Sequence, residues 1–272
     1  MPPSPNGSSH ESSHRPTPEL IVERDGPVLT VTFNRPAQRN AMTWAMYDGL
    51  YEACERADAD DDIRVLVLRG AGEDAFVAGT DITQFAEFVD GDDGIAYERK
   101  ITRVLDRLED VNVPTVAAVR GYCVGAGLAI AAVCDLRVAT PDAQFGVPVA
   151  RTLGNCLSMP TYALLVHHLG PARTLDLLLN ARMYDGPAAY AAGFLAELVE
   201  DLDDAVQRTV DRLVGHAPLT MWATKEAVRR LRRAAAANVD GDDIVGRVYA
   251  SDDFHGAVQA FTNKQKRVWI GR

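Results

Sequence analysis

Two short segments of this 272-residue chain hold residues whose types and spacing could do chemistry. The first is Ala75-Phe76-Val77-Ala78-Gly79-Thr80-Asp81-Ile82. The second is Gly121-Tyr122-Cys123-Val124-Gly125-Ala126-Gly127-Leu128. Each follows a buried-strand pattern and opens a helix. Glycine lets backbone approach a ligand closely. A helix start offers unpaired N–H groups and the positive end of the helix dipole. Two such turns facing one point would suit an oxygen that gains negative charge during reaction, with the N–H groups of Thr80 and Ala126 as donors. Either turn alone reads as tight packing. Gly70-Ala71-Gly72 starts like a dinucleotide fingerprint, but Ala75 stands where the third glycine belongs, and no GK[ST] phosphate loop is present.

Other polar residues read as structural. Asp81 is placed to cap the helix that follows it, and Asp135 to bond backbone before a strand. Glu87 and Asp90 follow the first turn and read as solvated charges. His167 and His168 are adjacent on a helix, point in different directions and make no natural metal pair. Cys156 has no histidine near it in sequence and reads as a structural thiol.

The elements that must position the two turns follow from hydrophobic periodicity. Residues 20–24 and 28–33 alternate around Asp25-Gly26 and predict a hairpin. Thr43 caps a helix running to about residue 57. The apolar runs at 65–68 and 115–119 predict buried parallel strands, with further short strands at 135–139 and 144–146. Helical patterns are expected in a short piece after Asp81, then at 97–108 and 128–133. From Pro160 onward the pattern is mostly helical, with proline at helix starts in Gly170-Pro171 and Gly186-Pro187 and amphipathic helices at 203–216, 219–237 and 252–261. The expected architecture is one α/β core with a helical C-terminal region.

Composition narrows the classes. A formal net charge of −10 disfavours nucleic acid and membrane surfaces as partners. Cys54, Cys123, Cys134 and Cys156 form no CxxC pair, which fits buried thiols in the cytoplasm and neither disulfides nor a metal site. No apolar run is long enough to span a bilayer. Residues 1–18, rich in Pro and Ser, read as a disordered tail, with His10 and His14 as at most adventitious metal ligands.

Four ordered blocks carry a resemblance: Asn34-Arg35-Pro36 with Asn40-Ala41-Met42; Ala78-Gly79-Thr80-Asp81-Ile82; residues 121–127 with Cys134-Asp135-Leu136-Arg137; and Ala143-Gln144-Phe145-Gly146. Together they resemble the enoyl-CoA hydratase/isomerase (crotonase) family over residues 20–272. The resemblance implies a crotonase-like ββα spiral core at 19–205 and a C-terminal helical trimerisation region at 206–272. It implies a homotrimer or dimer of trimers, a place in fatty acid metabolism, a coenzyme A thioester as ligand, and no metal or other cofactor. It places the oxyanion donors on Thr80 and Ala126, where the family usually has Ala or Gly. It also places CoA contacts on Arg39, Ala41, Ala78, Gly79 and Lys264 or Lys266. The acidic, glycine-containing stretch 85–97 is then expected to line or lid the acyl pocket as a mobile segment.

The same resemblance exposes a gap. Family hydratases use two glutamates for acid–base work. Their positions here hold Ala129 and Val149. The aspartate of related isomerases and dehalogenases falls near Ser158. Asn155 and Ser158 are therefore the candidates to orient water or the acyl group, and Arg151 to hold an acyl carboxylate. The expected function is a lyase or isomerase on acyl-CoA with a non-standard acid–base set. A thioesterase or decarboxylase of the same family, or a non-catalytic acyl-CoA-binding protein, stands as the alternative.

Overall fold

The computed structural model describes residues 18–235 and 239–272. His10 and His14 lie outside the described residues. β1 (Leu20–Asp25) and β2 (Val28–Phe33) form the expected hairpin, with Gly26 at φ +52° in its turn. α1 (Trp44–Ala59) is capped by the Thr43 side chain, which accepts from Met46 N–H.

Three successive units follow, each with two strands and a helix. They are β3 (Val65–Gly70), β4 (Ala75–Ala78) and α2 (Gly91–Glu109); β5 (Thr115–Val119), β6 (Tyr122–Val124) and α3 (Ala126–Val133); and β7 (Leu136–Ala139), β8 (Gln144–Gly146) and α4 (Met159–Leu179). The first strand of each unit joins one sheet, ordered β1-β2-β3-β5-β7-β10. The second joins another, ordered β4-β6-β8-β9. This repeat is the ββα spiral. The remaining elements are β9 (Tyr184–Asp185), α5 (Gly186–Ala191), β10 (Glu197–Leu198), α6 (Leu202–Val214), α7 (Pro218–Ala235), α8 (Asp242–Tyr249) and α9 (Asp252–Thr262).

The larger core includes Phe33, Phe76, Leu128 and Phe145. On the six-stranded sheet, Val65, Val67, Val116 and Val138 pack with Leu202, Ala205 and Val210 of α6. Residues 205 and 206, the expected division, therefore lie inside a helix that packs on the sheet.

One expectation is corrected and one is met. α2 begins at Gly91, six residues before the predicted start at 97. Asp90 and Asp93 form a capping box that stabilises this first turn despite its glycines. The stretch 85–97 thus runs from the end of a 3-10 turn (Ile82–Phe85) through residues 86–90 into α2, and Asp90 is a cap. α4 is kinked where Gly170 takes φ +73° before Pro171, so proline opens its second half.

Candidate active site

The two glycine turns are pressed together. A Cβ built on Gly125 would lie 3.6 Å from Gly79 Cα, and Gly79 itself sits at φ +95°. A Cβ on Gly127 would come within 2.1 Å of Val77 O, so only glycine lets α3 settle on β4. Gly125 N–H donates to Gly146 O, fixing the second turn to β8. The first turn is clasped by the segment after β2: Ala78 N–H donates to Arg39 O, Met42 N–H to Gly79 O and Asp81 N–H to Met42 O. These bonds leave the Thr80 N–H unused by the clasp. Ala126 is the first residue of α3, where an N–H has no acceptor within the helix.

Asn40, fully buried, holds the clasp by donating to Ala71 O and Ala75 O. Arg35 pairs with Asp81 at 2.9 Å, which also caps the 3-10 turn by accepting from Thr83 N–H. The Arg35 pair and the Thr83 hydrogen bonds hold the Asp81 carboxyl below its ordinary range, against the opposing effect of burial. The Thr80 hydroxyl lies 2.7 Å from Tyr47 Oη and 2.8 Å from Tyr97 Oη, so its side chain anchors the turn from behind.

A cavity of 260 Å³ opens at these turns. Its lining includes Thr80, Ala126, Ala129, Val149 and Asn155. Ala129 and Val149, where the resemblance placed glutamates, therefore do face the cavity. Ala78 and Gly79 line it, whereas Arg39, Ala41 and Lys264 lie outside. Arg39 stacks its guanidinium 4.7 Å from the Tyr122 ring centre beside the clasp, and Lys264 is exposed after α9. Arg151 is exposed and outside the lining.

Among the described residues, the one charged residue in this lining is Glu98, which sequence reading did not single out. It is 7% exposed. Tyr249 Oη donates to Oε1 at 2.9 Å, and Ser158 N–H donates to Oε2 at 2.9 Å. Asn155 Nδ2 donates to Tyr249 Oη at 3.3 Å, while Asn155 Oδ1 is buried without a partner. Burial pushes the Glu98 carboxyl up to about 7, against the lowering effect of its hydrogen bonds. Ser158 lies outside this lining and reaches the site only through Glu98. The signal was available in the spacing: Gly94, Tyr97, Glu98, Ile101, Leu105 and Leu108 form one helical stripe, and a carboxylate inside an apolar stripe is out of place. Cys156 is buried, and burial pushes its thiol up to about 12, which fits a structural thiol. His168 bonds Ala132 O at 2.8 Å, away from the cavity.

Residues 23–272 match the family model described as enoyl-CoA hydratase/isomerase. The chain belongs to the enoyl-CoA hydratase/isomerase family. It is 32% identical over 261 residues to the 2,3-dehydroadipyl-CoA hydratase of Escherichia coli (strain K12), covering 93% of this chain and 99% of the relative. It is 33% identical over 210 residues to the (E)-benzylidenesuccinyl-CoA hydratase of Thauera aromatica, covering 76% and 81%. A solved enoyl-CoA hydratase/carnithine racemase from Magnetospirillum magneticum superposes with a TM-score of 0.77 at 33% identity, covering 94% of this chain and 97% of that one. Within this family frame, the chain keeps the paired glycine turns and departs at the positions that carry acid–base carboxylates in the resemblance.

Proposed function

We propose that this protein binds an acyl thioester of coenzyme A and catalyses proton transfer at the carbons beside the thioester, as a hydratase or isomerase. The observation that carries this is the convergence of Thr80 and Ala126, on two mutually packed turns, at one cavity. A thioester carbonyl held there gains negative charge as an adjacent C–H bond breaks, and the two N–H donors stabilise that charge. The thioester needs no metal for this.

Arg39, Ala41 and Lys264 are proposed to receive the CoA portion outside the cavity. Ile82, Phe85, Ile101 and Val149 in the lining suit an apolar acyl group. An adipyl-type chain ends in a carboxylate, and the lining offers no lysine or arginine to meet it. The same argument disfavours malonyl-type decarboxylation, since Arg151 is outside the lining.

α7 leaves Leu219 and Leu231 more than 70% exposed, at 78% and 74%. This supports a homotrimer or dimer of trimers that covers the helix. Buried, unpaired cysteines support a reducing compartment.

The test is binding of crotonyl-CoA, with the thioester carbonyl stretch followed by difference infrared spectroscopy. A downshift on binding is expected. Ala126→Pro removes one donor at a helix position where proline is tolerated. It should abolish most of the downshift and reduce turnover about 10²–10³-fold. Tight binding without turnover of any enoyl-CoA would mark a non-catalytic binding protein and overturn the enzymatic part.

A further inference from the structure

Glu98 stands at the boundary between two cavities. It lines the acyl cavity and also a second cavity of 490 Å³ on the other side, together with Thr102, Ser158 and the Arg99–Asp242 ion pair. Ser158 Oγ lies 3.2 Å from Thr102 Oγ1 and 3.0 Å from Thr161 Oγ1. Thr102 faces the second cavity and Thr161 the acyl cavity, so three hydroxyls bridge the wall beside the carboxyl. Glu98 Oε1 accepts from Tyr249 and Oε2 from Ser158 N–H, and the Ser158 hydroxyl is a further hydrogen-bond partner of the carboxyl. The carboxylate keeps acceptor capacity for a proton beyond these partners. The carboxyl is fixed by groups on α8 and at the start of α4, which suits a base that must meet a defined C–H bond.

We propose that Glu98 is the catalytic acid–base of this protein, and that its proton is exchanged with solvent across the Ser158–Thr102 hydroxyls from the second cavity. This rests on the thioester reading above. With one carboxyl, the chemistry that balances is a double-bond shift. Ionised Glu98 takes a proton from the α-carbon of a β,γ-enoyl thioester. The C–H electron pair becomes a dienolate whose oxygen is held by Thr80 and Ala126 N–H. The neutral carboxyl then returns a proton to the γ-carbon, giving the conjugated α,β-enoyl thioester and restoring the carboxylate. Burial, which pushes this carboxyl up to about 7, makes it a stronger base than an ordinary carboxylate while leaving an ionised fraction at neutral pH, as the first step requires; that step itself supplies the proton for the second. The hydroxyl bridge lets that proton exchange while the thioester fills the acyl cavity.

The experiment uses the full chain with vinylacetyl-CoA, in water and in D2O. Absorbance of the conjugated product gives turnover, and mass analysis gives its deuterium content. Glu98→Gln can keep two of these partners, its oxygen accepting from Ser158 N–H and its amide donating to Tyr249 Oη. It should bind crotonyl-CoA with the carbonyl downshift intact and lose at least about 100-fold in turnover. Glu98→Asp, which withdraws the carboxyl by one methylene, should fall in the same direction. Ser158→Ala and Thr102→Val should each lower deuterium incorporation per turnover several-fold, because the shuttled proton is then retained. Unchanged turnover in Glu98→Gln overturns the catalytic role. Unchanged deuterium content in both hydroxyl variants overturns the exchange route. Binding and downshift in the wild type without any shift of the double bond overturns this inference alone. Absence of binding and downshift overturns the thioester reading as well.

Discussion

Tyr249, the last residue of α8, donates its hydroxyl hydrogen to Glu98 on α2 across 151 residues of sequence. That bond joins the helical C-terminal part of the chain to the cavity at the two glycine turns. It also lowers the Glu98 carboxyl toward its ordinary value. Tyr249→Phe removes the donor and leaves the packing nearly unchanged. The rising limb of the pH–rate profile is expected to move to higher pH, with the proton affinity of Glu98. A profile identical to wild type would show that Tyr249 acts only as packing.

Glu98 also makes stability depend on pH in a defined direction. Its folded value is about 7 against an ordinary 4.5. Below about pH 4.5 both folded and unfolded chains hold the proton, and the folded state bears no penalty. As pH rises toward 7 the unfolded chain ionises first, so stability is lost across that window and stays lost above it. The difference corresponds to roughly 3 kcal/mol. The neighbouring Tyr47, Tyr97, Tyr162, Tyr249 and Cys156 are all shifted upward by burial and stay neutral there. Urea unfolding at pH 5 and pH 8 should show wild type losing stability relative to Glu98→Gln. Parallel behaviour of the two proteins would contradict it.

Thr80 separates backbone from side-chain roles. Thr80→Ala keeps the N–H donor but removes the hydroxyl between Tyr47 and Tyr97. A loss of about 1–2 kcal/mol in stability is expected, with the carbonyl downshift retained. Loss of the downshift without loss of stability would reverse this assignment.

Gly127→Ala should be severe. Its Cβ would collide with Val77 O, so α3 must move away from β4 and carry Ala126 N–H with it. Reduced melting temperature together with weakened carbonyl polarisation is the expected pair. A folded variant with full polarisation would show that α3 has more latitude than its packing implies.

The fold was largely legible because its signals are local. The continuous apolar run at Val65-Leu66-Val67-Leu68, the cap at Thr43 and the turn at Asp25-Gly26 each specify their own element. The glycine turns were legible for the same reason, and their convergence came from the family resemblance. The start of α2 was missed because Gly91 and Gly94 oppose helix by propensity, while the Asp90–Asp93 capping box and packing on Tyr249 favour it. Glu98 is marked in the sequence only as a carboxylate in an apolar stripe, and what makes it matter is tertiary. Its donors come from residues 158 and 249, and nothing in the local sequence announces them.

The donors proposed above, at Thr80 and Ala126, are main-chain amides, which do not titrate in the range where proteins stay folded. Tightness of the carbonyl grip should therefore be flat with pH, while bond-making rises and falls with one carboxyl. On the proposed reading, holding and reacting are thus under separate control. The same reading makes acidification leave the protein loaded with thioester and idle, a resting complex that resumes work when the medium returns to neutrality.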